Sequence, residues 1–418
     1  MGNRTASHEI APTIGQRKAG IVFLPAANFK TGLFSYCRAT QNILSRRVFY
    51  FGKGCTLDTD APDEGPSNGE PTILFHDNLV LFAGFGIGLA YGAVGLVSGF
   101  CLLTSLRNWL TAGDGVRIRS YALAMATAMI GAQALAGFGL VDLKQSIYLL
   151  PSFSVPLMFT GGLVFGYGMV LANGCGSRAT VLLGRGNLRS FVVVVTLGIT
   201  AQMTLRGLIG PARVAGVQAT DVTPAVNSLP GLIAADGVGR LIAVALIAGA
   251  LIVFAAGSAA FRQARGQALA GIAIGLLIVA AWYATGHIGA ESFEPVPVTS
   301  LTFIAPIADG VQYVMLSTGM TMNFGVATVA GVLAGSFLTA IATGRFELEG
   351  YRSPRHMLRS MTGAAMMGIG GACALGCSIG QGLTGMSTLA LASFIAFAGI
   401  LLGIAAGLRG PLKAPAIA

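Results

Sequence analysis

The stretch TGGLVFGYGMVLANGCGSR at 160–178 recurs, altered but in register, as TGAAMMGIGGACALGCSIG at 362–380. Placing Thr160 on Thr362 makes seven columns identical without a gap: Thr160/Thr362, Gly161/Gly363, Gly166/Gly368, Gly168/Gly370, Ala172/Ala374, Gly174/Gly376 and Cys175/Cys377. The chain has six cysteines, and glycine richness alone does not bring two of them to one column, so the agreement marks an internal repeat. Each copy is an apolar, glycine-rich run that ends on Gly-Cys.

The rest of the chain says what kind of run this is. Hydrophobic residues make up 54% and charged residues 10% of it, and the mean hydropathy is +0.74. That balance is foreign to soluble domains and expected of a chain that lives in a lipid bilayer. A net charge of +10 raises the question of nucleic acid, but the arginines sit between apolar runs and form no continuous stripe. They read as loop charge. No Cys-x-x-Cys occurs, and the four histidines (His8, His76, His287, His356) lie far in sequence from the Gly-Cys sites. Neither a disulfide framework nor a metal site is expected, and no cofactor is implied.

Uncharged or nearly uncharged runs long enough to cross the bilayer lie at 79–103, 121–141, 146–175, 190–205, 241–261, 268–286, 319–344, 361–380 and 386–408, which makes nine spans. The segment SLTFIAPIADGVQYVML at 300–316 is interrupted by Pro306 and Asp309 and reads as a partial, re-entrant element. With nine spans, Arg107, Arg117 and Arg119, then Arg178, Arg185 and Arg189, then Arg262 and Arg265, then Arg345, Arg352, Arg355 and Arg359 all fall on one side, which should be cytoplasmic together with the C-terminus. The expected fold is therefore an all-α polytopic membrane protein of about nine transmembrane helices plus partial re-entrant helices. Residues 1–75 are polar, lack a signal-peptide core and read as a loosely structured extension; 76–418 form the membrane domain.

The two copies end the third and eighth spans, and an odd separation inverts the second copy relative to the first. That is the inverted-repeat plan of many transporters, with halves at about 78–207 and 238–408. A span that breaks inside the membrane frees backbone N–H groups, which must line a polar cavity or meet a ligand. Freed N–H groups favour an anion, and Gly174, Gly176 and Gly376 let backbone and ligand approach closely. Cys175 and Cys377 add a soft, polarizable sulfur with a weak S–H donor, suited to a sulfur-containing anion. Ser378 belongs to the same site, with Arg178 and Gln381 as secondary candidates; Arg178 reads first as a cytoplasmic anchor that also shapes the field at Cys175. Taken singly, the glycines read as helix-packing positions and a membrane cysteine as a small packed hydrophobe. Cys373 keeps that reading, since Leu171 stands in its column.

At this point the chain resembles the YeeE/YedE family of bacterial inner-membrane proteins, through SGFCLLTSLRNWL at 98–110, NGCGSRATVLLGRGNLRS at 173–190 and ALGCSIGQGLTGMSTLALAS at 374–393. SLTFIAP at 300–306 and FELEGYRSPRHMLR at 346–359 carry it further. The resemblance implies an hourglass-shaped importer of thiosulfate, with Cys101, Cys175 and Cys377 along its axis passing the anion by S–H contacts. The sequence departs from the commonest Gly-Cys-Thr-Ser-Gly-His motif, with Gly-Cys-Gly-Ser-Arg and Gly-Cys-Ser-Ile-Gly-Gln in its place. Another sulfur or selenium compound is the alternative substrate, and a small cytoplasmic sulfur-carrier or sulfurtransferase protein an expected partner. A membrane sulfur-transfer enzyme holding a persulfide on Cys175 or Cys377 is the competing reading. It lacks support in that no His, Asp or Glu falls within either motif to serve as base, so no catalytic residue is assigned.

Overall fold

The computed structural model describes residues 70–224, 226–233, 237–291, 296–351 and 353–409. Of the expected N-terminal extension, residues 70–75 open the first helix and 1–69 lie outside the described residues. Twelve helices carry the architecture: Glu70–Ser98 (α1), Leu102–Arg107 (α2), Val116–Gly137 (α3), Val155–Ala172 (α4), Gly176–Gly184 (α5), Leu188–Leu205 (α6), Gly237–Ala256 (α7), Arg265–Tyr283 (α8), Ile304–Met315 (α9), Phe324–Ala342 (α10), Pro354–Cys373 (α11) and Leu391–Arg409 (α12). A two-residue antiparallel pairing of Phe153–Ser154 with Asp221–Val222 is the one named sheet among the described residues. The protein is an all-α polytopic membrane protein. Among the described residues, seven helical segments are long and apolar enough to cross a bilayer. Two more helices, α3 with 22 residues and α11 with 20, are of similar length but less apolar, being rich in Ala, Gly and Met with arginines in their first turns.

Local chemistry explains where the helices depart from the expected runs. Ser154 Oγ accepts from the Leu157 N–H at 3.2 Å with Pro156 beside it, so α4 starts at Val155 and not at Ser146. Ser146–Ser154 is turn and strand instead. Asn323 Oδ1 caps α10 through the Val326 N–H at 2.9 Å, later than the expected start at Gly319. Ser353 Oγ caps α11 through the His356 N–H, so that helix begins seven residues before the expected Met361 and takes Arg355 and Arg359 out of the loop. The last helix starts at Leu391 because 386–390 belongs to the break behind Cys377. Helix α9, at 12 residues, is about 18 Å long, short of the ~30 Å hydrocarbon core. Its Asp309 is buried and held by Arg206 Nη1 at 3.0 Å and Asn323 Nδ2 at 3.4 Å.

Packing relates two sets of helices. Helix α1 lies on α10 as α8 lies on α3; α4 lies on α12 as α11 lies on α6; α5 touches α10 as the segment after Cys377 touches α3. Helix α7 stands outside this correspondence. At the centre α4 and α11 cross in opposite directions. A Cβ on Gly161 would lie 2.8 Å from Gly370 O, and one on Gly370 would lie 2.6 Å from Gly161 O. Gly168 and Gly363 face each other's carbonyls at 2.7 Å in the same way. Because Gly161 and Gly363 share a repeat column, as do Gly168 and Gly370, each contact is the image of the other. Only residues without a Cβ permit this approach.

Candidate functional site: three helix breaks and their cysteines

Each central cysteine follows a long helix that stops inside the protein. After α4, Asn173 takes a left-handed backbone (φ 59°), and Gly174 N–H closes onto Met169 O at 3.0 Å. After α11, Leu375 does the same (φ 53°), and Gly376 N–H closes onto Gly371 O at 2.9 Å. Met169 and Gly371 share a repeat column, so the two helix ends are closed by the same bond. Asparagine tolerates that conformation; leucine takes it at a cost of about 1–2 kcal/mol that the surrounding packing must offset. Cys175 then stands in extended conformation as the residue capping α5. Cys377 leads into the π-helical turn Gly380–Gly385.

The third break was not legible as one. The expected first span runs unbroken through Cys101, yet α1 ends at Ser98, Gly99 is left-handed (φ 63°), and Cys101 caps the short helix α2 in extended conformation. Cys101 thus occupies the same kind of position as Cys175. All three cysteines are buried, with at most 2% of their surface exposed. The side chains of Cys101 and Cys175 are neighbours. Cys175 Sγ lies 3.1 Å from Ser177 Oγ. Cys377 Sγ accepts from the Gly380 N–H at 3.2 Å and meets the Thr302 side chain. Cys373 stays apart from them, half-buried and lining a separate cavity of about 150 Å³ with Phe153, Met158 and Arg213.

Around the thiols the remaining candidates divide. Gly176 is packed against Leu197, Ile307 and Phe303, and Gly376 against the Gln381 side chain. Gln381 Nε2 donates to Ala374 O at 2.6 Å, tying the π-helical turn to the end of α11. Its Oε1 and the Ser378 Oγ are buried and make no hydrogen bond among the described residues. Gly174 lies beside the Arg178 side chain, and Arg178 Nη1 reaches Gly99 O at 3.4 Å. The Cys175 break is thereby linked to the Cys101 break. Two buried tyrosines complete the centre. Tyr91 lies near Ser177, meets the Phe303 ring at 5.3 Å between centroids with the planes tilted by 43°, and is within electrostatic reach of all three cysteines. Tyr121 donates to Ser378 O at 2.5 Å between the rings of Phe100 and Phe397. Sequence reading missed both. For Tyr91 the available signal was a tyrosine deep inside an apolar span, away from the interfacial belt where membrane tyrosines gather; Tyr121, at the start of its expected span, gave none.

Two sets of cavities flank the centre. One of about 560 Å³ is lined by Gln133, Asp142, Lys144, Ser228, Arg240 and Thr388. It is joined to the interior by Gln133 Nε2, which donates to Ser387 O at 2.7 Å, and by Trp282 Nε1, which donates to Ser387 Oγ at 3.2 Å. On the arginine-rich side a cavity of about 250 Å³ is lined by Asn173, Arg178, Arg185, Arg189, Glu349 and His356. The segment around Glu349 clasps the turn after α5: Asn187 Nδ2 donates to Glu349 Oε2 at 2.7 Å, and Leu188 N–H to Glu349 O at 2.9 Å. Partial burial, with Arg189 and Arg359 close by, holds His356 below its ordinary pKa, so it adds little positive charge at neutral pH.

A model of the sulphur-transport family matches residues 97–406, a range that opens just before the Cys101 break and includes both repeat copies. Two curated relatives match along most of their own lengths. The thiosulfate transporter TsuA of Spirochaeta thermophila is 25% identical over 351 residues, 78% of this chain and 97% of that protein. The thiosulfate transporter TsuA of Escherichia coli is 24% identical over 350 residues, 78% of this chain and 93% of that protein.

Proposed function

The chain belongs to the sulphur-transport family, and from that premise we propose that it imports thiosulfate or a closely related sulfur anion through a path lined by Cys101, Cys175 and Cys377. Family membership makes it a membrane transporter of sulfur compounds and not an enzyme. One observation supports the finer reading: three separate helices break at a cysteine, two of them by the same closing bond, and all three cysteines lie in the main buried core within electrostatic reach of Tyr91. The anion enters from the cavity lined by Lys144 and Arg240, meets Cys377 beside Gln381 and Ser378, and is handed to Cys175 and Cys101. A neutral S–H can donate to the terminal sulfur without a lasting bond, and the packed surroundings exclude a fully hydrated sulfate.

The same reading makes 78–207 and 238–408 two inverted halves, with the corresponding packings of α1/α10 and α8/α3 as support. Residues 1–75 stay outside the transport unit, the arginine-rich face and the C-terminus are cytoplasmic, and the membrane is the bacterial inner membrane. Moving a dianion against 100 mV, negative inside, costs about 4.6 kcal/mol. Import therefore draws on a coupled cation or on rapid consumption within, the role a cytoplasmic sulfur-carrier or sulfurtransferase partner would fill. Uptake of labelled thiosulfate into cells lacking their own importers tests the reading. Cys101→Ala, Cys175→Ala and Cys377→Ala should each abolish uptake while the protein still inserts, and Cys373→Ala should leave it intact. Normal uptake in the Cys175 and Cys377 variants would overturn the path.

A further inference from the structure

Beneath the Cys101 break lies a second cavity on the arginine-rich side, of about 240 Å³, whose lining includes Gly99, Phe100, Arg117, Arg178 and Arg185 and no acidic residue. Its arginines are not alike. Arg185 is neutralised by Glu347 at 3.4 Å and Glu349 at 3.9 Å, and it also donates to Arg345 O at 3.0 Å. Arg117 makes no hydrogen bond or ion pair among the described residues, although it is half-buried against Gly99. Arg178 has one long hydrogen bond, to Gly99 O at 3.4 Å, and no carboxylate. Two guanidinium groups therefore flank one left-handed glycine with about ten donor N–H groups between them and almost nothing to receive them. Arginines serving only as interfacial anchors would extend to water or headgroups, whereas these two turn to the same glycine and line one recess.

We propose that Arg117 and Arg178 form an inner site for the oxygen atoms of a divalent oxyanion, distinct from the thiol path and next to its last station. The site rests on the thiosulfate reading only for the identity of the ion. Two positive charges match a dianion, and the forked guanidinium suits paired oxygens. Arg178 also acts electrostatically on Cys101, so an anion here would lie with its oxygens on the arginines and its terminal sulfur toward that thiol. The arrangement makes the inner end of the path read oxygen where the centre reads sulfur, and gives the departing anion a place to pause on the cytoplasmic side.

Sulfate separates the two chemistries, since it has the oxygens and lacks the terminal sulfur. Binding of labelled sulfate is measured on the purified full chain in phosphatidylcholine nanodiscs. Wild-type protein should bind it saturably, and Arg117→Gln and Arg178→Gln should each weaken binding at least tenfold. Cys175→Ala and Cys377→Ala should bind sulfate as wild type does, even where they no longer transport thiosulfate; the site and the thiol path thus fail separately. If a glutamine variant does not fold, Arg117→Lys and Arg178→Lys keep the charge but lose the fork, and each should weaken sulfate about threefold. No sulfate binding by the wild type, or unchanged binding in all arginine variants, overturns the site. So does displacement of sulfate by phosphatidylglycerol, which would assign the cavity to a lipid headgroup.

Discussion

Replacing Gly370 by alanine places a Cβ 2.6 Å from both Gly161 O and Phe165 N and 3.1 Å from Phe165 Cα. All three are backbone atoms, so no side chain can swing aside. Helices α4 and α11 must separate by about 0.8 Å to restore an ordinary contact of roughly 3.4 Å. A gap of that size forfeits about a quarter to a half of each dispersion contact along the seam, and with some 40 contacts of about 0.15 kcal/mol the loss is about 1.5–3 kcal/mol. Residual strain adds about 1 kcal/mol, and the better helix propensity of alanine returns about 1 kcal/mol. The net expectation is a destabilisation of about 1.5–3 kcal/mol. Gly363, on the same helix in the image contact, has Cβ distances of 2.6–2.8 Å to Ala172 N, Gly168 O and Leu171 Cβ and should cost about the same. Gly249, which has nothing within 4 Å of a Cβ, serves as control and should tolerate alanine with no loss. Thermal stability of the detergent-solubilised chain, followed by size-exclusion chromatography after heating, reads all three. If Gly370→Ala and Gly363→Ala were as stable as wild type, the close crossing of the two repeat helices would be wrong, and with it the placement of both breaks.

Tyr91→Phe removes the hydroxyl that meets Ser177 while keeping the ring on Phe303, so thiosulfate uptake should fall several-fold with stability lowered by about 1 kcal/mol; unchanged uptake would reduce Tyr91 to packing. Arg206→Ala strands the buried Asp309 carboxylate and should cost about 1–2 kcal/mol, the exposure of Arg206 keeping the figure low, whereas Asp309→Asn should cost less than about 1 kcal/mol. Thermal unfolding of the two variants checks the order, and a larger loss for Asp309→Asn would refute it. Reporter fusions at Gly115 and Ser353 should report a cytoplasmic location and one at Glu294 a periplasmic location; the reverse at the first two would invert the path.

The sequence by itself determined the membrane class, the positions of most long helices, the repeat and its two cysteines. These rest on composition and on local register: an apolar run of sufficient length has to form a helix in lipid, and a repeated Gly-Cys column is visible without coordinates. Helix starts at Ser154, Asn323 and Ser353 were readable in principle as caps, but apolarity continues across the first two and masks the boundary, while Arg355 and Arg359 made the first turns of α11 read as loop. The break at Gly99 was hidden for the same reason, since residues 79–103 are uncharged throughout and glycine is common in packed membrane helices. Only the tertiary structure decided that this glycine is left-handed, that Cys101 meets Cys175, and that Tyr91, Tyr121 and Thr302 converge on the thiols from three different helices or loops. Hydropathy is a property of neighbours along the chain, whereas a buried polar centre is made by groups far apart in sequence satisfying one another. The pairing of Arg185 with Glu347 and Glu349, which leaves Arg117 and Arg178 without a carboxylate, is likewise a fact of three dimensions: in sequence all three arginines and both glutamates are simply loop charge.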